Sequence, residues 1–378
     1  MGKPLKIALL CHPSVGGSGI LATELGHRMA NLGHEVFVIS ERAPFRLNES
    51  HPNVCFCESK PVEFPLFSSP DHTLPMATKI AEVCSENDID IIHAHYAIPH
   101  TAAAWIAKEL IGPGGPPIVT TLHGTDIVYL GEMPEYRPLL QHVLEASDRV
   151  TCVSRNLKER ALSLFDLENP IKVVPNFYEP KQITATRSNI RSELGVGDEA
   201  LAIHASNLRS IKRIDLMLES FQAAAKTGAK LLILAGSDSS RIEGDVAKWN
   251  LEGSVIILEN VYDVDNYFAA ADFTLYSSEY ESFCLGILEG MRHGLPSVSF
   301  AVGGIPEVVL DGETGFLVPF GSVDEMSSAI LCLANNPTLR GNMGASARQR
   351  AMTQFSAQTI VNSYLNVYEE ILSPIVGC

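Results

Sequence analysis

Two glutamates eight positions apart bracket the run Glu281-Ser-Phe-Cys-Leu-Gly-Ile-Leu-Glu289, which reads as a strand-to-helix junction. A helix start offers backbone N–H groups without intrahelical partners, here those of Phe283, Cys284 and Leu285, and such a start attracts phosphate. Carboxylates repel phosphate, so beside it their task is to accept hydrogen bonds from hydroxyls, such as those of a ribose and a hexose. Taken alone, the pair also fits a helix cap and a solvated helix face. Its company points to a site. Ser206-Asn207-Leu208-Arg209-Ser210-Ile211-Lys212-Arg213 follows another strand, and three cations within five residues of an acidic chain suit a diphosphate. A solvated helix start is the alternative there, although cations sit poorly at the positive end of a helix. Downstream, Gly303-Gly304-Ile305-Pro306-Glu307 permits close backbone approach to a ligand.

The first half carries a second constellation. Gly16-Gly17-Ser18-Gly19 occupies the turn after the first strand, and Glu41 ends the second strand, about where a dinucleotide enzyme keeps its ribose-binding acid. The glycine spacing is not G-x-G-x-x-G, so the loop reads as facing donor phosphates and an acceptor, with a nicotinamide dinucleotide as the alternative. His93-Ala-His95-Tyr96 ends one strand and Leu122-His123-Gly124-Thr125-Asp126 the next, bringing polar groups to one rim. His93 and His95 share a strand face and could ligate a metal, but no cysteine or carboxylate cluster of ligand spacing accompanies them, and a buried, hydrogen-bonded imidazole is the other reading. Arg149 opens the next strand; an ion pair with Asp148 or Glu145 would equally occupy it.

Positioning these groups requires short apolar strands alternating with helices. Strands are expected at Lys6 to Cys11, Glu35 to Ser40, Ile89 to His93, Ile118 to Leu122, Arg149 to Val153 and Ile171 to Val174, with amphipathic helices such as Ile20 to Leu32 between them. Pro175-Asn176-Phe177-Tyr178-Glu179-Pro180 interrupts the series, which restarts from a new first strand at Ala200. The reading is an α/β chain with two Rossmann-like, doubly wound parallel-sheet domains facing a central cleft. Residues 1–178 form an acceptor-binding domain, 179–356 a nucleotide-sugar domain, and 357–378 a terminal helix that could pack back across the hinge.

Composition bounds the function. The 378 residues carry 28 basic and 44 acidic side chains, a formal net charge of -16. That sign argues against nucleic acid and against an anionic membrane surface. The eight cysteines are scattered without a CxxC pair, as in a reduced, cytoplasmic enzyme. No stretch reaches the roughly 18 apolar residues of a spanning helix, the first apolar run is too short for a signal peptide, and Lys6 stands where a myristoylation motif wants Ser or Thr. A soluble protein is expected.

Over nearly its whole length the chain resembles retaining glycosyltransferases of family 4 with the GT-B fold. The likeness runs through the Gly-rich first loop, His123-Gly-Thr-Asp126, Arg209 with Lys212, Glu281 to Glu289, and Gly303-Gly304. Pro13-Ser-Val-Gly-Gly-Ser-Gly19, Pro44-Phe-Arg-Leu-Asn48, His93-Ala-His-Tyr96 with Pro99-His100, and Thr120-Thr-Leu-His-Gly-Thr-Asp126 are similar to the branch that joins N-acetylglucosamine to L-malate in the first step of bacillithiol biosynthesis. The resemblance implies that Arg209 and Lys212 hold the UDP diphosphate, with Gly16, Gly17, Asn207 and Leu285 also on the donor. It gives Glu289 the ribose, and Glu281 with the backbone of Phe283 and Cys284 the donor sugar. His123 and Asp126 line its reactive face, His123, Arg209, Lys212 and Glu281 forming the catalytic set. Ser18, Tyr96, Thr121 and Arg149 receive malate. No metal or other cofactor is implied; the partners are UDP-N-acetylglucosamine and L-malate, with room for a homo-oligomer. Cys284 stands where such enzymes commonly have Gly, and Leu208 where the near relatives show Phe. A family-4 enzyme acting on an envelope lipid or sugar, and a non-catalytic UDP-sugar sensor, are the alternatives.

Overall fold

The computed structural model describes residues 3–13, 17–62, 70–236 and 239–373. The chain divides into two compact units, Met1–Asn176 with Ala357–Cys378, and Phe177–Ser356.

In the first unit β1 (Lys6–Leu10), β2 (Glu35–Ser40), β3 (Val54–Glu58), β4 (Ile91–His95), β5 (Ile118–Leu122), β6 (Arg149–Cys152) and β7 (Lys172–Val173) form one sheet in the order β3-β2-β1-β4-β5-β6-β7. Every pairing is parallel. Helices cover both faces of such a sheet, so its central strands read as unbroken apolar runs. Ile7, Ala8, Leu9 and Leu10 are fully buried. Helix Gly17–Asn31 follows β1 and turns Leu21, Ala22, Leu25 and Met29 inward at helical spacing.

The second unit repeats the plan. There β8 (Leu201–Ser206), β9 (Lys230–Ala235), β10 (Val255–Glu259), β11 (Phe273–Tyr276), β12 (Ser297–Phe300) and β13 (Gly315–Val318) lie in the order β10-β9-β8-β11-β12-β13, again parallel throughout. In each sheet the winding reverses once, between β1 and β4 and between β8 and β11, and a crevice opens at the carboxyl ends of the strands flanking such a reversal. The Rossmann-like α/β architecture expected from the sequence is present in both units.

Two details of strand placement depart from the sequence expectation. Strand β4 lies two residues later than predicted, because Asp90 is occupied in accepting the Lys6 N–H at 2.8 Å and leaves pairing to begin at Ile91. His93 and His95 therefore both stand inside the strand. Edge strand β3 is half exposed and lacks the apolar run that marked the others. Helix Ala357–Leu372 joins the first unit: Ile360, Val361, Tyr364, Val367 and Tyr368 are buried, and the Tyr368 hydroxyl lies 2.7 Å from His93 Nδ1. Among the described residues, no helix is long and apolar enough to cross a membrane.

Candidate active site

At the reversal of the second sheet, the chain leaving β8 turns sharply. The Arg209 N–H bonds the Asn207 carbonyl at 2.6 Å, a short turn spans Ser210–Lys212, and Arg213 takes the left-handed conformation at φ 47 before helix Ile214–Lys226. The loop after β11 is tied to this turn. Ser277 Oγ donates to the carbonyls of Lys212 and Arg213 at 2.9 and 2.8 Å, and the Glu279 N–H reaches Ile211 O at 2.8 Å. That clamp brings Lys212 Nζ to Glu281 Oε1 at 2.6 Å, with Ser278 Oγ donating to the same oxygen at 2.6 Å. The two side chains are only 14% and 12% exposed. Burial is the largest single influence on the Lys212 ammonium and opposes it, but the charge and hydrogen bond of Glu281, with Cys284 beside them, together hold the lysine pKa above its ordinary value.

Glu281 is also held from behind. The Gly304 N–H donates to the Glu281 carbonyl at 2.8 Å, and a Cβ on Gly303 would meet that carbonyl oxygen at 2.0 Å. The Gly303-Gly304 turn thus packs on the backbone of Glu281; the close approach anticipated from its glycines is made by protein. Helix Leu285–Arg292 starts beside this loop. Gly286 and Gly290 let it lie flat on β11, since a Cβ on either would strike Tyr276 or Thr274. Phe283 is buried edge-on against Phe355, so only its backbone faces a ligand role. Cys284 caps the helix at φ 72, ψ 79. A left-handed backbone there explains why glycine suits the position. Glu289 lies one turn into the helix and is partly buried.

The cations of the clamp divide. Arg213 pairs with Asp215 at 3.0 and 2.7 Å and serves the helix start, a correction to its place in the clamp. Arg209 is exposed and has no carboxylate partner among the described residues. Asn207 lies over Gly236, whose Cβ would collide with its Oδ1. The site thus keeps one free guanidinium, one ammonium shared with a carboxylate, and a helix N-terminus, a set able to take a diphosphate and sugar hydroxyls together.

The reversal of the first sheet gathers the other constellation. The Tyr96 hydroxyl donates to Ser18 Oγ at 3.0 Å, joining the end of β4 to the first turn of helix Gly17–Asn31. Tyr96 holds φ 82, fixed by its N–H on the Thr121 carbonyl at 2.9 Å and by Thr101, whose N–H and hydroxyl both reach the Tyr96 carbonyl. Around it stand His12, His100 and His123: ring centres lie 5.4 Å apart for His12 and Tyr96, 5.0 Å for Tyr96 and His123, and 4.4 Å for His12 and His100. His123 Nε2 is 2.8 Å from His95 Nδ1. Burial lowers the pKa of His12, takes His100 and His123 down to about 3 and puts His95 well below its ordinary range. These are neutral imidazoles.

Not every anticipated residue faces this rim. Asp126 is fully buried; it accepts the N–H of Gly124 at 2.9 Å and of Ala97 at 3.3 Å, so it pins the turn after β5 to the turn after β4. Burial pushes its pKa up to about 6 against those bonds. Thr121 is fully buried and bonded to His93 and Thr151, each at 2.7 Å. Arg149 is separated from the rim altogether: as the first residue of β6 it lies at the opposite end of the sheet, where Glu370 approaches it at 3.9 Å and also holds Lys172 at 2.8 Å. Neither Asp148 nor Glu145 is its partner, Asp148 being taken by Lys108. Gly16 lies outside the described residues, and Gly17 opens the first helix. His12 and Ser278 were missed; for His12, the signal was its place directly after the first strand.

The chain is 38% identical over 372 residues to the N-acetyl-alpha-D-glucosaminyl L-malate synthase of Bacillus anthracis, an alignment covering 97% of each. Models of Glycosyltransferase Family 4 and Glycosyl transferases group 1 match residues 15–182 and 186–350. The chain belongs to the family 4 glycosyltransferases.

Its relatives by structure share the fold at low identity. A glycosyltransferase from Rickettsia africae superposes with a TM-score of 0.81 at 19% identity, covering 98% of this chain and all of that one. The Anabaena HepE protein in complex with UDP and glucose gives a TM-score of 0.79 at 19% identity over 97% of this chain and 100% of its own. For a family 4 glycosyltransferase, the two sheet reversals account for where most of the anticipated residues gather, and Asp126, Thr121 and Arg149 are the exceptions.

Proposed function

We propose that this glycosyltransferase moves N-acetylglucosamine from UDP-N-acetylglucosamine to the hydroxyl of L-malate with retention of configuration. The observation that carries the reading is the near-full-length similarity to the Bacillus anthracis synthase. The polar groups set at both sheet reversals support it.

In the second unit, Lys212 has three N–H bonds and commits one to Glu281, leaving two for a diphosphate oxygen. Arg209 and the N–H groups opening helix Leu285–Arg292 supply the remaining positive potential, and Glu289 accepts from the ribose. Glu281, held by Lys212 and Ser278, accepts from a sugar hydroxyl. Stabilising the departing UDP is then the principal catalytic term, through charges fixed before the reaction begins. In the first unit, the N-terminus of the 15-residue helix Gly17–Asn31 and the Ser18 and Tyr96 hydroxyls form a receptor for a carboxylate, which takes over the task expected of Arg149. His123 lines the reacting face. With Glu281 and Glu289 committed to hydroxyl recognition, substitution proceeds on the front face, the leaving phosphate oxygen taking the proton of the malate hydroxyl. No resident metal belongs to this scheme, and the free cysteines suit a reducing cytoplasm.

The test is a reaction of purified protein with UDP-N-acetylglucosamine and L-malate in excess chelator, followed by UDP release, product mass and the anomeric proton coupling. Malate-dependent release of an α-linked N-acetylglucosaminyl-malate is expected. Release independent of malate would transfer the proposal to another acceptor, and tight UDP binding without any turnover would replace it with a sensor.

A further inference from the structure

We propose that His95 is a positioning residue that fixes the tautomer of His123, so that His123 presents an Nδ1–H donor at the rim. This rests on the assignment of His123 to the reacting face above. His95 Nδ1 and His123 Nε2 are 2.8 Å apart, and the rings lie 5.1 Å apart with planes 25° from parallel. Two neutral imidazoles at that distance share one proton, so only two arrangements exist. If His123 Nε2 carries it, His95 must be protonated at Nε2, and His123 Nδ1 is a bare acceptor. If His95 Nδ1 carries it, His95 Nε2 is a bare lone pair and His123 is protonated at Nδ1.

The surroundings choose between them. His95 Nε2 is buried and has no hydrogen-bond partner among the described residues. An N–H enclosed without an acceptor forfeits a strong bond to water and is the rarer defect in folded proteins; a bare nitrogen lone pair in the same place is better tolerated. The first arrangement buries such an N–H, and the second does not. His95 is otherwise enclosed: it is 1% exposed, its carbonyl accepts from His100 Nδ1 at 2.6 Å, and its ring lies 4.4 Å from that of His93, tilted by 32°. His123 Nδ1 has no partner among the described residues, and His123 is the less buried of the two. A donor at that nitrogen recognises an oxygen with a lone pair, as a sugar hydroxyl or a carboxylate offers.

The experiment is nitrogen-resolved NMR of histidine-labelled protein, with His123 assigned through His123→Asn, together with kinetics of two variants. The inferred state shows His123 protonated at Nδ1 and bare at Nε2 in the unliganded enzyme. His95→Leu, which removes the donor, lowers kcat by about 100-fold, the scale for a misplaced reacting group, with KM for the UDP-sugar little changed. His95→Asn, whose side-chain amide can occupy the Nδ1 position, recovers most of that loss. A His123 ring protonated at Nε2 overturns the proposal, as does full activity in His95→Leu or equal loss in both variants. Should His95→Leu fail to fold, the wild-type spectrum decides alone. The spectrum also reads this dyad whether or not malate is the acceptor, so the two proposals fail separately.

Discussion

Lys212 and Glu281 are 69 residues apart in sequence, yet their side chains meet at 2.6 Å where the second sheet reverses its winding. The pair exists because two loops are bolted together through Ser277 and Glu279, and it is largely shielded from water. A buried pair of this kind contributes modestly when complete and costs heavily when one partner is lost.

Lys212→Ala is therefore expected to lose turnover by orders of magnitude and to fall in stability by about 3 to 5 kcal/mol, the range for orphaning a buried charge. Adding Glu281→Gln removes the orphaned charge and recovers most of the stability without the activity. Urea midpoints and initial rates on both variants separate the two roles. A double variant as unstable as the single one would contradict the account.

At Cys284 two opposing terms nearly cancel. Leaving the left-handed conformation to glycine relieves about 1 to 2 kcal/mol, while glycine's extra backbone freedom costs about 0.5 to 1 kcal/mol and the buried thiol is lost. Cys284→Gly should lie within about 1 kcal/mol of the parent, whereas Cys284→Val, β-branched at positive φ, should lose clearly more. Thermal unfolding of the two variants checks the order, and a valine variant as stable as the glycine one would refute the strain.

Both sheets and the two site loops were legible in the sequence because a buried parallel strand is an apolar run and a loop at its carboxyl end is an abrupt polar block. What was not legible is direction and depth. Thr121 and Asp126 sit in blocks that look like site residues, but side chains alternate along β5 and the turn after it folds inward, so both are spent on internal hydrogen bonds. Arg149 lay at the amino end of its strand, which the strand boundary alone could have revealed. His95 required the partner found only in space, 28 residues away.

Gly303 carries a sharper steric demand than its sequence suggests. Its φ of 52 is joined to a space already filled by the Glu281 carbonyl, 2.0 Å from where a Cβ would stand. Backbone cannot yield as a flexible side chain does. Gly303→Ala should displace the Glu281 loop and raise KM for the donor at least about tenfold, equivalent to roughly 1.4 kcal/mol, with the KM for acceptor less affected. Unchanged donor KM would show that the loop repacks freely.

Acid should destabilise the first unit through its imidazoles. His93 and His100 have folded pKa values of about 3, and His95 lies well below the ordinary 6.5, all three through burial. Between pH 6.5 and 3 the unfolded chain therefore binds protons that the folded chain refuses, and stability present above pH 6.5 is lost as the pH falls. Asp126 acts in the opposite sense: with a folded pKa of about 6 against 3.8, it takes up its proton first in the folded state and stabilises as the pH drops. Each proton of difference is worth about 1.4 kcal/mol per pH unit, so three enclosed imidazoles exceed one carboxylate. The urea midpoint should fall steadily from pH 7 to 5. Asp126→Asn should steepen that fall, because it removes the compensating uptake while keeping an acceptor for the Gly124 N–H. A midpoint that rises on acidification would mean that the buried histidines are already charged.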